Sequence, residues 1–296
     1  NDIELKSSLN IAIDCGNGAA SIIAKQIYEQ LGCKVTSLFD ELDGNFPNHH
    51  PDPSKEENMQ DLKNVVLDKN LDLGIAFDGD ADRLGIITKK GSIIDADIQM
   101  LAFSKEILKQ NQGGKIVFDV KCSKLLSEGI EKLGGIPLIN PTGHSLIKQR
   151  LLDEEALLGG EMSGHIFFND RWPGFDDAIY AGARMLEIIS EAENKDLLDN
   201  LPKSCSTPEI NISVGDKEKF KIVKEFKRRM DFKEAKIIDI DGVRVEFKSG
   251  WGLLRPSNTS PVLVLRFEAN SEDELKVIKE KFRKILYSIN PNLGEF

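Results

Sequence analysis

The sequence predicts an α/β protein: two similar α/β domains with mixed, mostly parallel sheets, followed by a C-terminal α+β domain. Three observations carry this expectation. From Leu9 to Glu191 short apolar runs alternate with segments of helical spacing, the rhythm of mostly parallel sheets with crossover helices. Between Leu201-Pro202 and Thr207-Pro208 two prolines and the serines between them mark a linker. Beyond it, several consecutive strand-like runs are flanked by helices, which is an α+β pattern. At about 150 residues per domain the 296 residues allow two domains. The pattern instead divides them into three, at 1–92, 93–203 and 204–296.

The elements follow in order. Leu9–Asp14 is an apolar run, Ala19–Leu31 carries Ile22, Ile23, Ile27 and Leu31 at helical spacing, and Lys34–Phe39 is a second strand. A polar loop rich in Pro, Asn and His spans Asp40–Ser54. Then come a helix (Lys55–Lys69) and two strands (Leu71–Phe77, Leu84–Thr88). The second domain alternates helix (Ala96–Gln110), strand (Lys115–Asp119), helix (Lys124–Leu133) and strand (Ile136–Ile139). It continues with a helical stretch (Leu146–Leu152), strands at Ala156–Leu158 and Ile166–Phe168, and a helix over Asp176–Glu191. The third has a strand (Ile210–Val214), a helix (Lys217–Met230), strands at Ile237–Ile240, Val243–Phe247 and Val262–Phe267, and a last helix (Glu272–Ile289). Gly250–Leu254 is left unassigned.

Composition excludes several classes. With 40% hydrophobic and 30% charged residues and a mean hydropathy of −0.28, the chain is neither a disordered polymer nor membrane-embedded. The net charge of −10 disfavours a nucleic-acid partner, because phosphate backbones reward concentrated basic surfaces. No apolar run approaches the roughly 18 residues of a membrane span, so no membrane partner is expected. Cys15, Cys33, Cys122 and Cys205 are far apart, which argues against a cysteine zinc site and requires no oxidising compartment. The cytoplasm is the default. The sequence starts at Asn1 without an initiator Met or signal peptide, as if in the middle of something.

Three segments carry chemistry. Asp78-Gly79-Asp80-Ala81-Asp82-Arg83 places three carboxylates at alternate positions after an apolar strand. Like charges this close call for a proton or a counter-ion, and a hard cation with oxygen ligands, Mg²⁺, suits them. A solvated acidic turn is the plain alternative. An EF-hand is excluded, because its sixth and twelfth positions would be Arg83 and Lys89 instead of Gly and Glu. Gly159-Gly160-Glu161-Met162-Ser163-Gly164-His165 lies between two short strands. Glu161 can accept two sugar hydroxyls while Ser163 and His165 donate; the alternative is a tight polar turn whose Glu caps a helix. Arg255-Pro256-Ser257-Asn258-Thr259-Ser260-Pro261 crowds a guanidinium, hydroxyls and an amide into one loop, a donor set for an oxyanion. An ordinary Pro-bounded turn is the alternative. Lys121 after one strand and His144 after another are weaker candidates. His49-His50 reads as structural, and Gly16-Asn17-Gly18 lacks the third glycine of a dinucleotide fingerprint, where Ser21 stands.

Together these segments resemble the α-D-phosphohexomutase family, in particular its bacterial phosphomannomutase/phosphoglucomutase branch. Asp78–Arg83 resembles the family's magnesium loop, with Ala81 where Gly is usual. Gly160–His165 is similar to its sugar-recognition loop, and Arg255–Thr259 to its phosphate-binding loop. Asp43–Pro51, Asp119–Cys122, Thr142–Ser145 and Gly174–Asp177 extend the likeness from about Leu9 to the C-terminus. The resemblance implies the second, third and fourth of four domains. The first, which carries a phosphoserine loop of the type Thr-Ala-Ser-His-Asn-Pro, has no counterpart in the sequence.

What the resemblance implies is interconversion of hexose 1-phosphate and hexose 6-phosphate, mannose or glucose, through a bisphosphate and an active-site phosphoserine. One Mg²⁺ would sit on Asp78, Asp80 and Asp82 with Arg83 assisting, and hexose 1,6-bisphosphate would be activator and intermediate. Glu161 and Ser163 would hold the sugar. Lys121, Arg255, Ser257, Asn258 and Thr259 would grip the non-reacting phosphate. His144 and His165 would lie near the sugar, His165 as a proton-transfer group. The partners would be the hexose phosphate and the missing N-terminal domain, and without that domain the chain is expected to be inactive. Two other readings stay open: a non-catalytic sugar-phosphate-binding module, and a haloacid-dehalogenase-type phosphatase with Asp78 as nucleophile. The latter wants Thr or Val where Asp82 stands.

Overall fold

The computed structural model describes residues 2–191 and 196–296. The chain divides into two compact units, Asn1–Cys122 with Leu126–Pro202, and Lys203–Phe296 with Ser123–Leu125. Among the described residues no helix is long and apolar enough to cross a membrane.

The first unit holds two sheets. β1 (Asn10–Asp14), α1 (Ala24–Gln30), β2 (Lys34–Leu38), α2 (Gln60–Asp68), β3 (Leu73–Phe77), β4 (Leu84–Thr88) and β5 (Ile93–Ile94) build the first, in the order β2-β1-β3-β4-β5. β1 runs parallel to β2 and β3, and the β3–β4–β5 meander is antiparallel. The sheet is therefore mixed, with two parallel pairings. β3 and β4 are buried along their whole length, as their continuous apolar runs require. On one face Leu62 and Val66 of α2, with Met59 of the 3₁₀ turn before it (Glu56–Met59), pack onto Ala12, Ala76 and Ile87. The approach is close at Gly74, where a Cβ would stand 2.8 Å from Val66 Cγ2.

The second sheet comprises β6 (Lys115–Asp119), β7 (Ile136–Asn140), β8 (Leu158–Gly160) and β9 (Ile166–Phe168) in the order β7-β6-β8-β9. β6 is parallel to β7 and β8, and β8 antiparallel to β9. α3 (Ala96–Gln110), α4 (Lys124–Lys132), α5 (His144–Asp153) and α6 (Ala178–Ser190) are its helices. α6 is buried almost all round and touches β3, β4, β9 and α3, so it belongs to the core shared by both sheets. Asp177 caps it, accepting the Tyr180 amide at 2.8 Å. Tyr28 of α1 reaches into the same core and donates its hydroxyl to the Ile179 carbonyl at 3.0 Å.

The second unit is an antiparallel sheet with two helices, α7 (Asp216–Arg229) and α8 (Glu272–Ile289). Its strands are β10 (Cys205–Ser206), β11 (Ile210–Ser213), β12 (Lys236–Ile238), β13 (Val243–Phe247), β14 (Gly250–Pro256) and β15 (Val262–Ala269). The order is β10-β15-β14-β13-β12, with β11 also on β15. Phe226, Phe267 and Phe282 lie at the core of this unit.

The structure departs from the sequence reading in several places, the expected helix Lys55–Lys69 among them: it is a 3₁₀ turn (Glu56–Met59) followed by α2. The helical stretch 19–31 is a 3₁₀ turn (Ala19–Ile22) followed by α1, because Ile23 adopts φ −142° between them. The expected linker contains β10, a two-residue strand, and β5 was equally too short to see. The largest difference is β14. Gly250 and Gly252 hide a central strand, yet both positions need glycine. Gly250 has φ +157° and a side chain there would strike the Glu268 carbonyl, while a Cβ at Gly252 would come within 2.6 Å of the Phe282 ring.

Candidate functional site

β3 ends at Phe77 and the chain turns at once through Asp78, a carboxylate 1% exposed. Asp78 Oδ1 accepts the amides of Asp82 and Arg83, both at 3.0 Å, and Oδ2 accepts Arg83 Nε at 2.6 Å. Arg83 also donates Nη1 to Asp52 Oδ1 at 3.1 Å. The turn forces Ala81 to φ +66°, a conformation glycine adopts more readily. Ala81 in turn accepts the Ala178 amide at 3.1 Å, fastening the loop to the start of α6. Asp78, Asp80 and Asp82 can each bring one carboxylate oxygen within 4.8 Å of the others. Three hard oxygen donors on one loop, one of them exposed, fit a hydrated Mg²⁺.

The Glu161–His165 turn joins β8 to β9 and closes on itself, Glu161 N–H donating to the His165 carbonyl at 3.0 Å. It also bonds to the carboxylate loop. Leu84 N–H donates to the Gly164 carbonyl at 3.1 Å, and Arg83 and His165 form an antiparallel bridge. This β-type contact brings His165 Nε2 to 3.4 Å from Asp82 Oδ1. His165 Nδ1 faces Ser163 Oγ at 2.8 Å and Glu161 Oε2 at 3.2 Å. Glu161 is 3% exposed and its Oε1 accepts the Gly143 amide at 2.7 Å, so the turn also holds the entry to α5. His144, the first residue of α5, approaches Asp176 at 3.4 Å and lies 5.6 Å ring-to-ring from His165.

The charges are mutually dependent. Burial raises the Asp82 carboxyl, the Asp78 charge adds to that and His165 opposes it, leaving Asp82 at about 6. Burial disfavours the His165 cation, but the Glu161 hydrogen bond and the charges of Asp82, Glu161 and Asp176 outweigh it, so its pKa rises. Burial would raise Glu161, but the His165 and Gly143 hydrogen bonds and the charges of His165 and Lys121 together outweigh it, so its pKa falls. Asp78 falls likewise on account of Arg83. Asp119 at the end of β6 is fully buried, and burial raises its pKa against the pull of Lys121. It accepts the amides of Lys121 at 2.7 Å and Met162 at 3.2 Å, tying the Lys121 segment to the Glu161 turn.

The second unit carries the Arg255 loop. Arg255 is near the end of β14 and 4% exposed, with Nε donating to Asp241 at 2.9 Å and Nη2 buried with no hydrogen-bond partner among the described residues. Ser257 Oγ accepts the amides of Thr259 and Ser260, and Asn258 and Thr259 are exposed. Lys219 of α7, 3% exposed, donates to the Ser260 carbonyl at 2.9 Å and holds the loop's far end.

The structure thus brings Asp78, Asp82, Arg83, Glu161, Ser163, His165 and His144 together within the first unit, with Asp80 on the same loop and Lys121 linked through Asp119. Arg255, Ser257, Asn258 and Thr259 share a loop in the second. Sequence reasoning gave no role to Asp52, Asp176, Asp241 or Lys219. Prolines flank Asp52 and Asp176 lies in the Gly174–Asp177 segment, but the partners that give these two a role, Arg83 and His144, are 31 and 32 residues away.

Three family models match in order. The α/β/α domain II of phosphoglucomutase/phosphomannomutase covers residues 2–91, domain III covers 95–205, and the C-terminal domain covers 209–285. The chain belongs to the phosphoglucomutase/phosphomannomutase family. It is 51% identical over 294 residues to a phosphomannomutase/phosphoglucomutase of Pseudomonas putida, covering 99% of this chain and 64% of that protein. A phosphoglucomutase of Neisseria gonorrhoeae is 50% identical over 294 residues, covering 98% and 64%. A crystal structure of a Burkholderia thailandensis phosphoglucomutase/phosphomannomutase family protein superimposes with a TM-score of 0.94 at 45% identity, covering 99% of this chain and 63% of that one. The chain therefore spans a little under two thirds of the length of these family members. The α-D-phosphohexomutase resemblance and the mixed α/β fold class both hold.

Proposed function

We propose that this chain is the metal- and sugar-binding part of a phosphohexomutase that interconverts hexose 1-phosphate and hexose 6-phosphate, of mannose or glucose, in the cytoplasm. The observation that carries the reading is the bond from Leu84 N–H to the Gly164 carbonyl, which yokes the carboxylate loop to the Glu161–His165 turn. A cation-binding loop and a hydroxyl-binding turn held edge to edge suit chemistry on a phosphorylated sugar. Family membership supports the same substrate class.

In this reading Asp78, Asp80 and Asp82 hold one Mg²⁺. When bound, the ion offsets negative charge on the transferring phosphoryl group, the main contribution a protein makes to such a loose transition state. Arg83, fixed by Asp78 and Asp52, adds a second positive charge. Glu161 and Ser163 orient sugar hydroxyls. His165 Nε2, 3.4 Å from Asp82, can exchange a proton with a sugar oxygen beside it, which suits general acid–base duty. Lys121, Arg255, Ser257, Asn258 and Thr259 are assigned to the non-reacting phosphate. The Arg255 Nη2, without a hydrogen-bond partner among the described residues, suits an oxyanion in particular. The phosphoserine that exchanges the phosphoryl group is assigned to a segment outside this sequence, and the chain alone is expected to bind without turning over. His144 is assigned to the sugar and hexose 1,6-bisphosphate to the intermediate.

Calorimetric titration tests this. Mg²⁺ should bind, Asp80→Asn should weaken it, and glucose 1,6-bisphosphate should bind more tightly with Mg²⁺ present. Absence of both affinities would refute the reading.

A further inference from the structure

We propose that His49, held as an imidazolium between Asp14 and the His50 carbonyl, is a positioning residue that sets how tightly the Asp78–Asp82 loop takes a divalent cation. The inference rests on the metal reading above. Asp14 closes β1 and is 1% exposed. Its Oδ1 accepts the Gly16 amide at 2.8 Å and its Oδ2 faces His49 Nε2 at 3.0 Å. The other ring nitrogen, Nδ1, lies 3.0 Å from the His50 carbonyl oxygen. Carboxylate and carbonyl oxygens only accept. A neutral imidazole has one N–H, so both contacts are satisfied only when both ring nitrogens are protonated. The Phe39 ring packs edge-on against the imidazole at 5.3 Å, and Asp61 of α2 adds a further negative charge to that of Asp14.

The pair acts on the cation loop through a short run of backbone. Gly16 and Asn17 take consecutive left-handed conformations, φ +51° and +57°. A Cβ on Gly16 would stand 2.7 Å from Pro51, two residues beyond His49. This turn delivers Gly18 against Gly79, where a Cβ would meet the Gly79 carbonyl at 2.6 Å, and Ala19 N–H donates to that same carbonyl at 2.9 Å. Gly79 is the residue between Asp78 and Asp80. From the other end of the segment, Asp52 holds Arg83, which holds Asp78. Residues 49–52 thus brace the loop on both sides, with the charged pair as their anchor.

The test is calorimetric titration of Mg²⁺ alone into the unaltered chain, His49→Gln, Asp14→Asn and the double variant, with ¹⁵N NMR of the ring nitrogens at neutral pH. Groups that hold a metal loop from behind typically change affinity by about 10-fold or more. Each single variant should therefore bind Mg²⁺ about 10-fold more weakly while still folded, and the double variant should lose little further. His49 should show two protonated nitrogens. Should His49→Gln fail to fold, Asp14→Asn carries the test, because asparagine still offers the Gly16 amide an acceptor. Unchanged affinity in folded variants, or a neutral His49 ring, would overturn this inference alone. An unaltered chain that takes up no Mg²⁺ would overturn the metal reading and this inference with it.

Discussion

His165 Nε2 stands 3.4 Å from Asp82 Oδ1, although the two are 83 positions apart in sequence. The distance is a consequence of backbone: Leu84 N–H and the Gly164 carbonyl form a bond that a β-bridge between Arg83 and His165 extends. Gly164 makes this possible with φ +105°, in a space where a Cβ would lie 3.2 Å from the Leu84 carbonyl oxygen.

Gly164→Ala should therefore both destabilise the fold and disturb the site. Backbone strain of this type costs on the order of 1–3 kcal/mol. Thermal unfolding should show the loss, and titration of Mg²⁺ and glucose 1,6-bisphosphate should show both affinities falling together. A variant that unfolds earlier but binds both ligands normally would mean that the bridge matters for stability alone.

His49 provides a pH signature. Its hydrogen bond to Asp14 raises its pKa to about 9, above the ordinary value near 6.5. A raised folded-state pKa contributes stability that is fully present below about pH 6.5 and is lost as pH rises through about 9. Denaturant unfolding between pH 6.5 and 9.5 should show a decline on the order of 2 kcal/mol, and His49→Gln should flatten it. Asp14 and Asp61 are the carboxylates that act on the ring, so Asp14→Asn should flatten the profile as well.

Much of the chemistry was legible because it is local. Asp78–Arg83 and Gly160–His165 are contiguous runs whose residue types announce their use, and the alternation of β1, α1, β2 and β3 is written in apolar spacing. What stayed hidden depends on long-range pairing. Nothing near His49 in sequence shows that a buried carboxylate 35 residues earlier waits for it, and Asp52 and Asp176 gain meaning only from Arg83 and His144. β14 was hidden for a different reason. Its glycines lower strand propensity but are demanded by the Phe282 ring and the neighbouring strand, so tertiary packing overrides the local signal.

The Tyr28–Gly182 contact yields a prediction about the core. A Cβ on Gly182 would collide with the Tyr28 hydroxyl. Gly182→Ala should cost about 1–3 kcal/mol through overpacking, and Tyr28→Phe about 1 kcal/mol through the lost bond to Ile179. The double variant should cost less than the sum, since removing the oxygen opens the space the new methyl needs. Additive losses in denaturant unfolding would contradict this packing.

Arg255 has Nε on Asp241 and Nη2 buried with no hydrogen-bond partner among the described residues, which leaves that nitrogen for an anion. Arg255→Lys keeps the charge but not the fork. Its affinity for hexose phosphate, measured by calorimetry, should fall about 10-fold or more, as expected for loss of a charge-assisted hydrogen bond. An unchanged affinity would remove this loop from the binding surface.

The carboxylate loop and the Glu161–His165 turn are expected to work as one site. The most direct measurement is calorimetric titration of glucose 1,6-bisphosphate with and without Mg²⁺, in the unaltered chain and in Asp80→Asn. The predicted result is tighter bisphosphate binding when Mg²⁺ is present, with that gain lost in Asp80→Asn. Bisphosphate binding indifferent to Mg²⁺, or no binding of either, would contradict it.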